Sequence, residues 1–195
     1  MLHLTSRAIA ELLREDRLQP LGPGTPNVAV KAKLRSLSPE TVLAPHPVKD
    51  YDMARACLAG LWLYHDFLEE SHTLSQAIDT PTGSYWHGLM HRRDPDYSNA
   101  KYWFRRVGTH PVYETLSTGA AELAALPDVP AAAEFLKRQS EWDPFAFIDL
   151  CEASLDKQSS GEMLCKRIQQ KEWELLFEYC CRQATGGDRL ALIKL

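Results

Sequence analysis

Long apolar runs are missing from this chain of 195 residues. The longest uncharged one, near residues 57–64, is too short to cross a bilayer. Residues 1–16, MLHLTSRAIAELLRED, lack the basic start, apolar centre and small-residue cleavage site of a signal peptide. They read as an amphipathic helix with Ile9, Leu12 and Leu13 on one side. Cysteine is present at five positions (Cys57, Cys151, Cys165, Cys180, Cys181), but no two form a CxxC pair and none lies near a His. An odd count with two adjacent Cys is no disulfide framework and points to reduced, buried thiols in a cytoplasmic protein. There is no excess of positive charge: a formal net charge of −4 argues against nucleic-acid binding. GxGxxG and P-loop patterns are absent, so no nucleotide cofactor is indicated. No internal repeat, low-complexity tract or long period-two alternation occurs, which excludes solenoids and a substantial sheet.

What is present is a soluble composition, 45% apolar and 25% charged, in a length that suits one domain. The stretch PLGPGTPN (20–27) holds three Pro and two Gly and must be a loop or linker. Residues 1–49 therefore read as a short helix, a Pro/Gly loop and an arm around the main body, and residues 50–195 as a helical core. In that core Asp50 or Asp52 caps a helix extending to about His72. Thr80-Pro81-Thr82-Gly83 reads as a turn, with Ser84 capping the next helix as far as Arg93. Ser98 caps a third helix ending at Gly108, and His110-Pro111 opens a fourth. Asp128 with Pro130 and Asp143 with Pro144 give further start signals, and a long helix spans residues 161–184 before Gly186-Gly187. The expected fold is all-α, a single compact bundle of about six to eight helices.

Residues 84–111, SYWHGLMHRRDPDYSNAKYWFRRVGTHP, stand apart. They hold three of the seven His and six of the eighteen aromatics, and carry a formal charge of +3 against −7 for the remainder. Flat walls, proton donors and fixed cations in one segment are the ingredients of a ligand site. His87 and His91 are one helical turn apart, a spacing that lets two imidazoles ligate one ion. The glutamate that a zincin helix carries after its first His is replaced by Gly88. A third ligand is required, and His72, Glu69 or His65 on the preceding helix are the candidates. On one continuous helix over residues 54–72, His65, Glu69 and His72 fall on a single stripe. Without a metal the same imidazoles serve as acid and base near neutral pH. Solvent-exposed His87 and His91 and core histidines bonded to backbone carbonyls are the plainer alternatives. In the third helix Ala100, Trp103, Phe104 and Val107 share an apolar arc.

The segment, preceded by LEESHTLSQ, resembles a family of uncharacterised bacterial and fungal proteins that share a YWHxxMHRRxxDYxNAKYWFRR stretch. The resemblance is strongest over residues 58–112 and implies a common core in which His72, Gln76, His87, His91, Arg92, Arg93 and Asn99 act as a unit. It implies no activity.

The expectation is a small-molecule enzyme, hydrolytic or proton-transferring, with its site between the helices of residues 50–72 and 84–108. Glu69, His72 and His87 are its catalytic candidates, with Glu70 as a further supporting carboxylate. His72, His87 and His91 are the candidate ligands of a divalent metal ion. Arg92 and Arg93 are expected to hold an anionic substrate group. Gln76 and Asn99 join them as substrate-binding residues, and Tyr85, Trp86 and Trp103 form walls. The alternatives are a non-catalytic module for an anionic metabolite and a helical interaction protein, such as a homodimer, using Trp and Arg at its interface. No nucleic-acid or membrane partner is expected.

Overall fold

A computed structural model describes residues 6–155 and 159–187. Within them the protein is all-α. The nine α-helices are α1 (Arg7–Leu12), α2 (Lys31–Arg35), α3 (Tyr51–Tyr64), α4 (Leu68–Gln76), α5 (Pro81–Arg93), α6 (Tyr97–Val107), α7 (Val112–Ala124), α8 (Pro144–Ser154) and α9 (Ser160–Ala184). Two short 3₁₀ segments, Val28–Val30 and Ala131–Lys137, complete the list. The count exceeds the expected six to eight because α1 and α2 are single short turns and the helix expected over residues 50–72 is two helices. Among the described residues, no helix is long and apolar enough to cross a membrane.

Helix starts follow local capping chemistry. Asp50 accepts from the Met53 amide, Asp96 from Asn99, Ser159 from Glu162, and Asp143 from both Phe145 and Ala146. Three starts differ from expectation. The segment after Asp128 is a 3₁₀ turn whose N-cap position is Pro130, with no side-chain cap. Helix α5 begins at Pro81, not after Ser84, because the Thr80 hydroxyl accepts from the Gly83 amide and proline suits the first helical position. Helix α6 is capped by Asp96 and not by Ser98.

The break between α3 and α4 has a specific cause. The Phe67 amide donates to the Trp62 carbonyl and the Asp66 amide to that of Leu63. That bond pair is the Schellman ending, with Asp66 at φ 64° in the place glycine usually takes. The accompanying apolar contact is present too, the Phe67 and Trp62 rings meeting edge to face at 5.2 Å. Arg17 and Arg93 grip the Asp66 carboxylate at 2.8 and 2.6 Å and hold this backbone in place.

Helix α5 runs through the middle of the fold, with every residue from Thr82 to Arg93 buried. Helices α3, α4 and α6 pack around it, and α9 packs against α3, α7 and α8. One apolar cluster joins α1, α3, α5, α6 and α9, and a second joins α7, the 3₁₀ segment, α8 and α9. The Pro/Gly loop lies on the body: Arg93 donates to the carbonyls of Gly22 and Pro23, and Gln169 to that of Pro20.

Candidate functional site

Three helices build the site. Helix α4 brings His72 and Ser75, which face the same side one turn apart. The four residues 77–80 then reverse the chain, so α5 lays His87 and His91 against them. The cap at Asp96 starts α6 in a direction that brings Asn99 and Trp103 to the same place. Gly88 makes this approach close, since a Cβ there would lie 2.8 Å from the Phe104 ring. No glutamate fits at that position, so a base for this site must come from elsewhere.

His72, His87 and His91 each offer a ring nitrogen, and these atoms all lie within 4.8 Å of one another. The Nε2 atoms of His87 and His91 are 2.9 Å apart. The rings of His72 and His87 have centroids 4.5 Å apart, and Trp103 lies over His87 at 3.9 Å. His87 and His91 are buried and His72 is half-buried.

The hydrogen bonds indicate which nitrogen of His87 is free. Ser75 Oγ donates its one proton to the His72 carbonyl at 3.2 Å. It can then only accept from His87 Nδ1, 3.3 Å away. That places the His87 proton on Nδ1 and leaves Nε2 as an acceptor, with His91 Nε2 2.9 Å away. His91 has the Asp96 carboxylate 3.9 Å from its Nδ1 and the Asn99 amide nitrogen 3.1 Å from its Nε2. Burial, then the neighbouring imidazoles of His91 and His72, push the His87 pKa down to about 3. Burial and His72 also lower that of His91. Neutral imidazole, the form that binds metal, is therefore favoured.

Tetrahedral zinc with Zn–N near 2.0–2.1 Å would need ligand nitrogens roughly 3.3 Å apart. The His87–His91 pair, at 2.9 Å, lies near that spacing, and no pair in the cluster exceeds 4.8 Å. A groove of about 650 Å³ opens beside it, lined by His72 and His91 together with Glu69, Glu70, Met90, Asp94 and Phe67. Its far wall is the N-terminal loop, through Pro23, Gly24 and Pro26.

Other expected site residues lie elsewhere. Arg92 is buried in an ion pair with Glu172 at 2.6 Å, its guanidinium 4.8 Å from the Phe147 ring. Arg93 is buried on Asp66, the Leu63 carbonyl and the loop carbonyls. Neither lines the groove. Consecutive residues on a helix diverge by 100°, so a helix that turns His91 to the cluster turns Arg92 and Arg93 away. Trp86 is wholly buried, donating to Cys180 Sγ and packing against Trp173 of α9. Tyr85 is buried too and donates to Glu172. Gln76 is exposed at the end of α4. His65, turned away by the helix break, has its carbonyl and Nδ1 facing Asn27 instead of the cluster. Glu69 is an exposed wall residue, and Glu70 pairs with Lys31 at 3.0 Å. All five Cys are free and buried.

Ser75 escaped the sequence reading. Its signal was its place one turn after His72 on the same helix face. No family model, curated protein or solved structure matches this chain.

Proposed function

We propose that this protein is a metal-dependent small-molecule enzyme of hydrolytic or proton-transfer type. In this reading His72, His87 and His91 hold a first-row divalent ion such as zinc, and the groove delivers substrate to it. One observation carries the reading: three imidazoles from two helices bring a ring nitrogen each within 4.8 Å of one another.

His72, His87 and His91 would hold the ion through three neutral nitrogens, which leave its charge uncompensated; such an ion would supply a bound water of lowered pKa and a Lewis acid for a substrate oxygen. Ser75 and Asp96 act behind the imidazoles, fixing the His87 tautomer and supporting His91, as outer groups do at metal sites. Glu69, on α4 one turn before His72, is the groove carboxylate assigned to proton transfer. Asn99 and Trp103 close the side toward α6.

Elemental analysis by ICP-MS of untagged protein, beside His87→Ala/His91→Ala, tests this. About one equivalent of Zn, Mn, Fe or Ni, lost in the variant, is expected. Wild-type protein that retains no ion after incubation with each of them removes the metal reading.

A further inference from the structure

We infer that Cys57 and Cys181 form a reversible disulfide when the protein meets hydrogen peroxide, and that this bond staples α3 to α9. The histidine cluster takes no part. Nothing in the cysteine spacing announces the pair, since its members lie 124 positions apart. The fold brings their sulfurs to 3.5 Å, both buried.

Helices α3 and α9 approach closely at Gly60. A Cβ there would lie 2.8 Å from the Trp86 ring and 3.2 Å from Phe177 of α9. The Trp173 indole N–H donates to the Gly60 carbonyl at 2.9 Å. Cys57 stands about one turn before Gly60, and Cys181 about one turn after Phe177, so antiparallel helices set them side by side. Beyond them the Lys49 and Asp50 amides donate to the Ala184 carbonyl at 2.7 and 3.2 Å, which ties the same two helix ends together. A disulfide needs Cα atoms within about 7 Å and an S–S bond of about 2.05 Å, so the sulfurs have about 1.5 Å to close.

The other thiols are placed differently. Cys180 Sγ accepts from the Trp86 indole N–H at 3.4 Å, and neighbouring residues on a helix diverge by about 100°. Cys151 and Cys165 meet each other in the second apolar cluster, where Ser154 Oγ lies 3.8 Å from Cys165.

Burial, then the contact with Cys181, pushes the Cys57 thiol well above its ordinary pKa, so the closed protein is unreactive and local opening admits the oxidant. Cys181 lies in the last turn of α9, which ends at Ala184. One thiol attacks the peroxide O–O bond, giving a sulfenic acid and one water. The other sulfur then attacks the sulfenic sulfur. The S–S bond forms, the S–O bond breaks, and the hydroxyl leaves with the second thiol's proton as another water. The two sulfurs lose two electrons and the peroxide gains them. A thiol reductant returns both thiols through a mixed disulfide.

The test exposes the full chain to excess hydrogen peroxide, alkylates the remaining thiols, and maps peptides by mass without reductant. A peptide pair joined through Cys57 and Cys181, two hydrogens lighter than its parts and separated by dithiothreitol, is expected. The urea midpoint of the oxidised protein should fall by about 1–2 M on adding dithiothreitol, the scale of a long closed loop. The same comparison, made within Cys57→Ala and within Cys181→Ala, should show no such fall, whatever the stability of each variant. Recovery of Cys57 and Cys181 as alkylated thiols, sulfinic acid in place of the link, or Cys57 joined to Cys180 overturns the inference. So does an oxidised wild type whose urea midpoint dithiothreitol leaves unchanged.

Discussion

Helix α5 carries two buried polar pairs within two turns, and they are built on opposite plans. Arg92 and Arg93 each meet a carboxylate at 2.6 Å, from Glu172 on α9 and from Asp66 at the α3–α4 break. Every large charge there is cancelled by an opposite one, and the result ties distant parts of the chain together. Apart from the Asp96 carboxylate 3.9 Å from His91 Nδ1, His87 and His91 meet neutral groups: each other, His72, Ser75, Asn99 and an indole face. Three groups of the same kind, each able to donate an electron pair, lie within 4.8 Å of one another. Opposite charges brought together explain themselves as structure. Like groups brought together leave their common partner unnamed, and a cation is what three imidazole lone pairs have in common.

The contrast breaks most visibly at the arginines. Glu172→Gln leaves the Arg92 charge buried without its counterion, and two of its nitrogens already have no hydrogen-bond partner. Removing one member of a buried pair costs about 3–5 kcal/mol. Urea denaturation should show a loss of that size while the zinc content per folded chain stays unchanged. A cost below about 1 kcal/mol would mean the pair is not structural.

His110 provides a lone histidine for comparison. It is buried, its Nε2 lies 3.2 Å from Thr82 Oγ1, and its Nδ1 accepts from the Val112 amide. Burial lowers its pKa to about 4. Because the folded value lies below the unfolded one, near 6.5, its contribution is whole above about pH 6.5 and is lost as pH falls toward 4. The full span corresponds to about 3 kcal/mol. In metal-free protein, His110→Gln should flatten the fall of stability between pH 6.5 and 4.5. An identical pH profile for variant and wild type would show that His110 is not held neutral by the fold.

The cluster should respond to metal where the lone histidine does not. Zinc at a hundred times its Kd should stabilise the wild type by about 2.7 kcal/mol. The same addition should leave His87→Ala/His91→Ala unmoved and should still stabilise His110→Gln in full. Equal stabilisation of the double variant would place zinc elsewhere.

The sequence disclosed features that depend on near neighbours. Asp50, Asp143 and the long C-terminal helix could be read locally, and the all-α fold followed. The spacing of His87 and His91 with the expected turn at residues 80–83 was enough to put His72, beside Glu69 and His65, among the candidate third ligands. Asp66 hid the end of α3 because an aspartate took the left-handed position that glycine normally advertises, while the apolar pattern continued through it. That one break removed His65 from the stripe it shares with His72 on an ideal helix. The fates of Arg92 and Arg93 could not be read locally either, since Glu172 lies 80 positions from Arg92 and Asp66 27 positions from Arg93. A run of arginines looks the same in sequence whether it awaits a ligand or a distant carboxylate.

The smallest expected effect is the sharpest test of how the cluster is organised. If Ser75 only fills space, Ser75→Ala should change neither stability nor metal binding appreciably. If it fixes the His87 proton on Nδ1, its loss frees the ring to adopt the other tautomer and weakens the ion without removing a ligand. Groups in this position typically contribute 10–100-fold to metal affinity. The Ser75 contact, at 3.3 Å, should lie at the low end, about tenfold. Competition with a zinc chelator of known affinity would measure it. Ser75→Thr, which keeps the hydroxyl, should recover most of the loss, while Ser75→Cys, a poorer acceptor of similar size, should not. Equal zinc affinity across all three variants would dismiss the tautomer argument and leave the convergence of the three imidazoles as the sole basis for the site.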